Sequence, residues 1–279
     1  SEMCIRDRVI FGASGDLTHR KLVPALFELF KQRRLPSEFA VLGCARRPWT
    51  DEIFKEKMEE ALSSQIKESP KEWGLFSQNL FYEPVDLQQP EHLVKLGERL
   101  EIIDKLRATH GHRTFYLSVS PKFYGSGCRA LAAAGLLKDP KRSRVVIEKP
   151  FGRDFNSAQS LNSLVQGCAQ ESQIFRIDHY LGKETVQNLM ALRFANTFFE
   201  NQWDNKNIEN VQITVAEEIG VADRISYYNE YGAIRDMVQN HLLQLLCLVA
   251  MEPPSYFDAN QVLSLIHISE PTRQEAISY

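Results

Sequence analysis

Along the first two thirds of the chain, short apolar runs alternate with stretches in which apolar residues recur every three or four positions, the spacing of a helix. Leucines recur every three or four residues after Pro90, for example, which is typical of an amphipathic helix that begins at the proline. Continuous runs of β-branched and aromatic residues are typical of strands buried on both faces. These predicted strands are Val9–Phe11, Phe39–Ala45, Phe81–Val85, Thr114–Val119 and Val145–Glu148. The alternation predicts an α/β fold with a doubly wound, Rossmann-type parallel sheet up to about residue 175.

The pattern changes after Phe194. Residues Val211–Val215 alternate apolar and polar side chains, which predicts a half-exposed antiparallel strand. Residues Gly232–Met251 predict a long helix that is stopped by Pro253. Together they indicate a second, α+β domain with an antiparallel sheet, over residues 176–262. This domain is expected to be incomplete, because one strand and one or two helices cannot close a layer.

Both ends of the chain have the character of foreign sequence. The leader at residues 1–8 and the tail at 263–279 resemble translated sequencing-adapter read-through. In the leader, Arg6, Asp7 and Arg8 interrupt the apolar run of the first strand. We therefore expect the dinucleotide-binding domain to cover residues 9–175 and the function to lie within residues 9–262.

Composition narrows the class of protein. The 279 residues carry a net charge of −3, which argues against nucleic acid or a membrane surface as the main partner. No apolar run approaches the ~18 residues needed to span a bilayer. The five cysteines are scattered without CxxC spacing, as expected for reduced thiols in the cytoplasm. No histidine lies three or four residues from another histidine or a cysteine, so we expect no metal site.

A glycine turn follows the first predicted strand. Gly12 and Gly15, with Ser14, Asp16 and Leu17, form the motif GASGDL immediately before a helical stretch. In this setting backbone N–H groups can face the pyrophosphate of a dinucleotide. The spacing differs from GxGxxG, so an ordinary strand-to-helix turn stays an alternative.

Two arginines stand where the second predicted strand ends. NAD-selective sites usually have an acidic residue at this position, to bind the ribose diol. Arg46 and Arg47 would instead attract a 2′-phosphate through charge-assisted hydrogen bonds. The pair predicts NADP in preference to NAD, and the alternative is a solvated basic loop.

The segment RIDHYLGKE at residues 176–184 concentrates chemically active side chains. Asp178, His179, Tyr180 and Lys183 lie within six positions at the end of a short apolar run. Together they could hold a phosphate and a proton-transfer partner. The alternative is a polar turn between a strand and a helix.

With these motifs, the chain from Val9 to about Val262 resembles the glucose-6-phosphate dehydrogenase family. The resemblance rests on GASGDL, on Glu148–Gly152, on RIDHYLGKE, which is the long and specific match, and on Arg235–His241. It implies oxidation of glucose 6-phosphate to 6-phosphogluconolactone with hydride transfer to NADP, the entry step of the pentose phosphate pathway. It also implies assembly into homodimers or homotetramers.

The resemblance assigns roles to particular residues. It makes His241 the general base and Asp178 the acid that orients the imidazole and stabilises its charged form. On the residues alone, a histidine beside leucines would more simply be packed in a core. His179, Tyr180 and Lys183 match the groups that hold the substrate phosphate.

Three further residues match the family's sugar and cofactor contacts. Asp236 and Glu217 match acids that accept hydrogen bonds from sugar hydroxyls, although Glu218 beside the latter leaves that assignment open. Lys149 matches a lysine between cofactor and substrate, and a cis peptide bond before Pro150 could aim it. An extended Lys-Pro linker is the alternative.

Roughly the C-terminal two-fifths of the family's length is absent from this chain. We therefore expect an active parent dehydrogenase and a chain that is nearly inactive alone. Two alternatives remain open at this point. One is a non-catalytic NADP-binding fragment or pseudoenzyme, and the other is a different NADP-linked sugar oxidoreductase with the same fold.

Overall fold

The computed structural model describes residues 6–216, 228–229 and 232–254. The chain divides into two compact units, Ser1–Ile177 and Asp178–Tyr279. Glu217 and the predicted foreign tail lie outside the described residues. No described helix is both long and apolar enough to cross a membrane.

A parallel sheet organises the first unit. Its described strands are β1 (Asp7–Phe11), β2 (Ala40–Ala45), β3 (Leu80–Pro84), β4 (Arg113–Leu117), β5 (Ser143–Glu148) and β6 (Ile174–Ile177). They lie in the order β3-β2-β1-β4-β5-β6, and each neighbouring pair is parallel. The order reverses between β1 and β4, the point at which such sheets bind ligands. The predicted doubly wound sheet is confirmed.

Helices connect the strands of this sheet. They are α1 (Val23–Lys31), α2 (Asp51–Ala61), α3 (Ser63–Glu68), α4 (Pro70–Ser77), α5 (Pro90–Arg107), α6 (Tyr124–Ala133) and α7 (Phe155–Gln166). Short 3₁₀ turns lie at Pro121–Phe123 and Glu171–Gln173. A π-helical segment, Thr18–Leu22, runs directly into α1, and Pro24 is the second residue of α1. Thr50 caps α2 as its position predicts, accepting a hydrogen bond from the Ile53 N–H at 3.3 Å.

Both faces of the sheet are buried. Val9 and Phe11 of β1 pack in a cluster with leucines of α5, whereas Ile10 packs on the opposite face with Phe27 of α1 and Phe54 of α2. Successive strand residues point to opposite faces, so a strand covered on both sides needs apolar residues at every position. This explains why the strands are continuous apolar runs.

The second unit is helical in its described part. It contains a 3₁₀ turn (His179–Gly182), α8 (Glu184–Phe194), α9 (Thr197–Glu200), a π-helical segment (Ile234–Leu242) and α10 (Leu243–Ala250). Val186, Leu248 and Met251 form its buried centre. Arg193 donates hydrogen bonds to the Leu248 and Met251 carbonyls at 2.5 and 2.8 Å. These bonds satisfy carbonyl groups at the end of α10 that have no partner within the helix.

The predicted antiparallel strand does not form. Residues 208–216 have no regular secondary structure, so the prediction for Val211–Val215 is wrong. A strand needs the backbone of a neighbouring strand to satisfy its N–H and C=O groups. The alternation of apolar and polar side chains does not show whether such a neighbouring strand exists. The described residues of the second unit contain no such neighbour. The predicted helix at 232–251, in contrast, is confirmed up to Ala250.

Strand β1 begins earlier than predicted, at Asp7. The Asp7 side chain is buried, accepts a hydrogen bond from the Thr109 hydroxyl at 2.8 Å, and lies 4.0 Å from Arg113. Burial raises the pKa of its carboxyl from 3.8 to about 7, and the Thr109 hydrogen bond offsets this only in part. A charge in this position therefore opposes folding. The foreign origin of residues 1–8 stays a prediction.

We expect the change Asp7→Asn to remove a pH dependence of stability. Since the folded pKa lies above the unfolded one, the neutral carboxyl favours folding below pH ~4, and that contribution is lost as the pH rises to about 7. The loss amounts to at most about 4 kcal/mol. Urea unfolding at pH 5 and pH 8, followed through buried Trp73, should show a smaller pH difference for Asp7→Asn than for the unchanged chain. The exposed Glu98→Gln on α5 is the control, and an unchanged difference in Asp7→Asn would contradict the assignment.

Candidate functional site

The glycine turn lies at the switch point of the sheet. Gly12 has a φ of +82°, and a Cβ there would lie 1.9 Å from the Ser118 carbonyl oxygen just beyond β4. The N–H groups of Gly12 and Ala13 donate to the Cys44 carbonyl at 2.8 and 3.1 Å. The Gly15 N–H donates to the Gly12 carbonyl at 2.8 Å. Only glycine fits the first position, and the turn is held against the ends of both β2 and β4.

These bonds decide which amides of GASGDL remain for a pyrophosphate. The N–H groups of Gly12, Ala13 and Gly15 are already used within the protein, which leaves those of Ser14, Asp16 and Leu17. Asp16 forms an exposed ion pair with Arg20 at 2.8 Å. The Arg20 guanidinium thereby partly compensates the negative charge of Asp16, which would otherwise oppose the binding of a phosphate at this turn. The turn fits a dinucleotide at the start of the helix.

Arg46 and Arg47 are exposed immediately after β2. The Arg47 guanidinium lies 5.4 Å from the ring centroid of Trp49, and the Tyr82 hydroxyl donates to the Arg47 carbonyl at 2.9 Å. The His19 ring stacks on the same tryptophan at 6.4 Å between centroids. These supports were not predicted from the sequence, although Trp49 follows Arg47 by only two positions. They hold the backbone and the side chain of Arg47 at the end of the strand.

Lys149 follows β5 at the same carboxyl edge of the sheet. Its peptide bond to Pro150 is cis, as the sequence analysis had considered. The preceding Glu148 accepts a hydrogen bond from the Tyr116 hydroxyl on β4 at 2.5 Å. Burial, and then this hydrogen bond, raise the pKa of Tyr116, so the phenol stays protonated and continues to donate.

In the second unit, an acid and an imidazole from distant parts of the chain meet. Nδ1 of His241 lies 2.8 Å from Oδ1 of Asp178, and the His241 side chain is fully buried. The same Oδ1 accepts a hydrogen bond from the Tyr180 N–H at 3.0 Å. One carboxylate oxygen therefore caps the turn at His179–Gly182 and holds the imidazole.

The electrostatics keep Asp178 charged. Burial is the largest single influence and acts to raise the pKa of its carboxyl, while the contact with His241 and the hydrogen bond from the Tyr180 N–H act to lower it. The charges of His241 and His179 act in the same direction as the hydrogen bonds. The net result is a lowered pKa, so the carboxylate can orient the imidazole and balance a positive charge on it.

Three more side chains of RIDHYLGKE gather at this pair. The Tyr180 ring stacks on the His241 ring with 3.8 Å between centroids and 18° between planes. The exposed His179 ring lies 4.8 Å from that of His241. The Lys183 ammonium lies 3.5 Å from the centroid of the Tyr180 ring. Within the second unit, the structure thus brings together Asp178, His179, Tyr180, Lys183 and His241.

A helix end adds to the positive potential here. Helix α8 begins at Glu184, with Lys183 at its N-cap. The positive end of the helix dipole and the lysine ammonium therefore coincide. Such a combination favours an anion.

Asp236 and His241 are the buried residues of the π-helical segment Ile234–Leu242. In a π-helix, hydrogen bonds join residues five apart, as between the Leu243 N–H and the Val238 carbonyl. Residues five apart therefore lie on one side, which an α-helix would not allow. The residue pattern predicts a helix here but not its π-helical winding, and short π segments inside α-helices occur often at functional sites.

Asp178, His179 and His241 each offer one donor atom, and these atoms lie within 4.8 Å of one another. Three such ligands would suffice for a catalytic zinc ion. Two of them, however, are already in contact with each other at 2.8 Å. Local histidine spacing could not reveal this group, and the expectation of no metal stays a prediction.

The sheet order and the glycine turn at its switch point are typical of the class of dinucleotide-binding domains. A family model described as "Glucose-6-phosphate dehydrogenase, NAD binding domain" matches residues 9–188. A second, described as "Glucose-6-phosphate dehydrogenase, C-terminal domain", matches residues 190–266. The chain belongs to the glucose-6-phosphate dehydrogenase family.

Known relatives agree with this membership. Glucose-6-phosphate 1-dehydrogenase of Chlamydia pneumoniae is 44% identical over 264 residues, covering 91% of this chain and 51% of the relative. That of Bacillus subtilis is 42% identical over 256 residues, covering 92% and 52%. The chain spans about half the length of the curated relatives it matches.

Solved structures show the same fold. The crystal structure of glucose-6-phosphate 1-dehydrogenase from Mycobacterium avium superposes with a TM-score of 0.81 at 34% identity, covering 94% of this chain and 56% of that one. A structure described as "Glucose-6-phosphate dehydrogenase in complex with its substrate glucose-6-phosphate" gives a TM-score of 0.85 at 35% identity, covering 94% and 54%.

We expect Gly12→Ala to abolish dinucleotide binding and to destabilise the first unit by about 3 kcal/mol or more, because its Cβ would meet the Ser118 backbone. Gly74→Ala on α4 is the matched control, since a Cβ there meets nothing within 4 Å. Thermal denaturation and calorimetric titration with NADP would measure both effects. Unchanged binding in Gly12→Ala would show that the turn does not hold the cofactor.

Proposed function

We propose that the full-length protein carrying this chain oxidises glucose 6-phosphate to 6-phosphogluconolactone, with NADP as the hydride acceptor. The observation that carries the proposal is the contact of 2.8 Å between His241 and Asp178 inside the second unit. The chain's membership of the family and its 35% identity to the substrate-bound structure support the substrate.

His241 is the proposed general base. Oxidation at the anomeric carbon requires its hydroxyl to lose a proton as the hydride leaves. With Nδ1 2.8 Å from the Asp178 carboxylate, a neutral imidazole that carries its proton on Nδ1 presents the lone pair of Nε2. Nε2 then takes the hydroxyl proton, and the charged carboxylate stabilises the imidazolium that results.

Lys183, His179 and Tyr180 are the proposed phosphate-binding residues. The Lys183 ammonium lies at the positive end of α8, and the exposed His179 is the first residue of the turn that Asp178 caps. An ammonium and a helix dipole of the same sign gain from a dianion placed beside them. We therefore expect the 6-phosphate to be essential for efficient turnover, and free glucose to be a poor substrate.

The remaining assignments follow the resemblance. The Ser14, Asp16 and Leu17 amides are proposed to bind the pyrophosphate, and Arg46 with Arg47 the 2′-phosphate. Lys149 is proposed to contact both ligands, and Asp236 and Glu217 to bind the sugar hydroxyls. NADP, when bound, supplies the hydride acceptor. Assembly into homodimers or homotetramers and a cytoplasmic location complete the proposal.

A second candidate function is cofactor binding without catalysis. The first unit contains an uninterrupted parallel sheet and its glycine turn, while the acid–imidazole pair lies in the second unit. A chain of this length could therefore bind NADP and still be nearly inactive. The two following experiments separate the candidates.

We expect His241→Asn in the full-length protein to lower kcat by about 10²–10⁴, the usual contribution of a general base. NADP binding should be unchanged, because the substitution lies outside the first unit. His110→Asn is the matched control, since this histidine is exposed and its φ of 56° suits asparagine. Equal turnover of the His241→Asn and unchanged proteins would mean that His241 is not the base.

Calorimetric titration of this chain with NADP and NAD tests cofactor choice. We expect saturable binding that favours NADP, and a loss of that preference in Arg46→Ala and Arg47→Ala, because each loses a guanidinium that attracts the 2′-phosphate. Arg34→Ala removes an exposed arginine near the end of α1 and serves as the control. A preference for NADP that survives in both variants would assign the 2′-phosphate to other residues.

A further inference from the structure

The Tyr180 and His241 rings are in face-to-face contact. Their centroids are 3.8 Å apart at an interplanar angle of 18°, and both side chains are buried, with 2% and 0% exposure. The stacked pair Phe39 and Phe76 in the first unit is 5.9 Å apart at 29°. The tyrosine therefore covers one face of the imidazole directly.

The two rings share one anchor. Oδ1 of Asp178 accepts the Tyr180 N–H at 3.0 Å and lies 2.8 Å from Nδ1 of His241. The Asp178 carboxylate thus contacts the backbone of Tyr180 and the Nδ1 edge of the His241 ring. The contact at Nδ1 fixes the position of one atom of the imidazole, and rotation about the line joining the two atoms would tilt the ring. A flat surface against the ring face removes that freedom.

Lys183 holds the tyrosine ring as well. Its ammonium lies 3.5 Å from the Tyr180 centroid, within the range of a cation–π interaction. Tyr180 is therefore held at its backbone by Asp178, and its ring contacts the imidazole and the ammonium. The last two contacts involve the aromatic ring and not its hydroxyl.

We propose that Tyr180 is a positioning residue for His241, and that its ring sets the plane of the imidazole so that Nε2 points at the substrate hydroxyl. The inference rests on the proposed role of His241 as general base. It is separate from phosphate binding, which would use the Tyr180 hydroxyl. Displacement of a reacting group by about 1 Å can cost about a hundredfold in rate, so the orientation of this ring bears directly on turnover.

Two substitutions in the full-length protein separate the ring from the hydroxyl. Tyr180→Phe keeps the stacked face and loses the hydroxyl, so we expect KM for glucose 6-phosphate to rise, with a smaller loss of kcat than in Tyr180→Met. Tyr180→Met keeps an apolar side chain of adequate volume but removes the flat face. We expect it to lower kcat by about ten- to a hundredfold, beyond any rise in KM.

A spectroscopic readout tests the stacking itself. A proton of the His241 ring that lies over an aromatic face resonates upfield, and isotope-labelled histidine lets it be followed, with His241→Asn identifying the signal. We expect the upfield position in the unchanged protein and in Tyr180→Phe, and its loss in Tyr180→Met. Should Tyr180→Met fail to fold, the spectra of the unchanged protein and of Tyr180→Phe still test whether the two rings are stacked. An ordinary position in the unchanged protein would overturn the proposal.

Phe76→Met, which removes a buried aromatic ring from the first unit, is the matched control for general loss of packing. It should affect stability but neither kcat nor the His241 signal. If Tyr180→Met keeps kcat and the signal, Tyr180 does not position His241. That outcome differs from failure of the proposed function, in which His241→Asn itself retains turnover.

Discussion

One oxygen atom organises the second unit's functional residues. Oδ1 of Asp178 receives the Tyr180 N–H, which shapes the turn at His179–Gly182, and also contacts Nδ1 of His241 from a helix more than sixty positions later. The turn leads directly into α8, whose N-cap is Lys183, and so places the lysine ammonium at the positive end of the helix dipole. Loss of this carboxylate would therefore disturb the proposed base and the proposed phosphate-binding residues together.

The first unit depends on a comparable constraint at Gly12. The chain leaves β1, passes within van der Waals distance of the Ser118 carbonyl, and donates twice to Cys44 at the end of β2. Because these contacts use amides that a dinucleotide-binding turn is often assumed to offer, the donors left for a pyrophosphate are those of Ser14 and the following helix. Close packing of backbone on backbone thus decides both the residue type and which amides of the turn are left for a ligand.

Sequence patterns predicted the first unit better than the second. Strands of the sheet are continuous apolar runs because both of their faces are covered, so the pattern reflects burial alone. The start of β1 at Asp7 was missed, since a buried carboxylate opposes the usual preference for apolar residues inside. The strand at Val211–Val215 was predicted wrongly, because alternation shows which face of a segment is apolar but not whether a backbone neighbour exists.

The chemical groups available to this protein can be read from its residues: the alternation of strands and helices, the glycine of the turn, the paired arginines and the polar residues of RIDHYLGKE. Which of these groups come into contact depends on how the chain folds. Two of the features are contacts between residues far apart in the sequence: that of His241 with Asp178, and that of the Tyr180 ring with the imidazole. The third is a backbone conformation, the π-helical winding that places Asp236 and His241 on one side. Periodicity reports local burial, whereas these contacts depend on how separate elements pack, which no local pattern encodes.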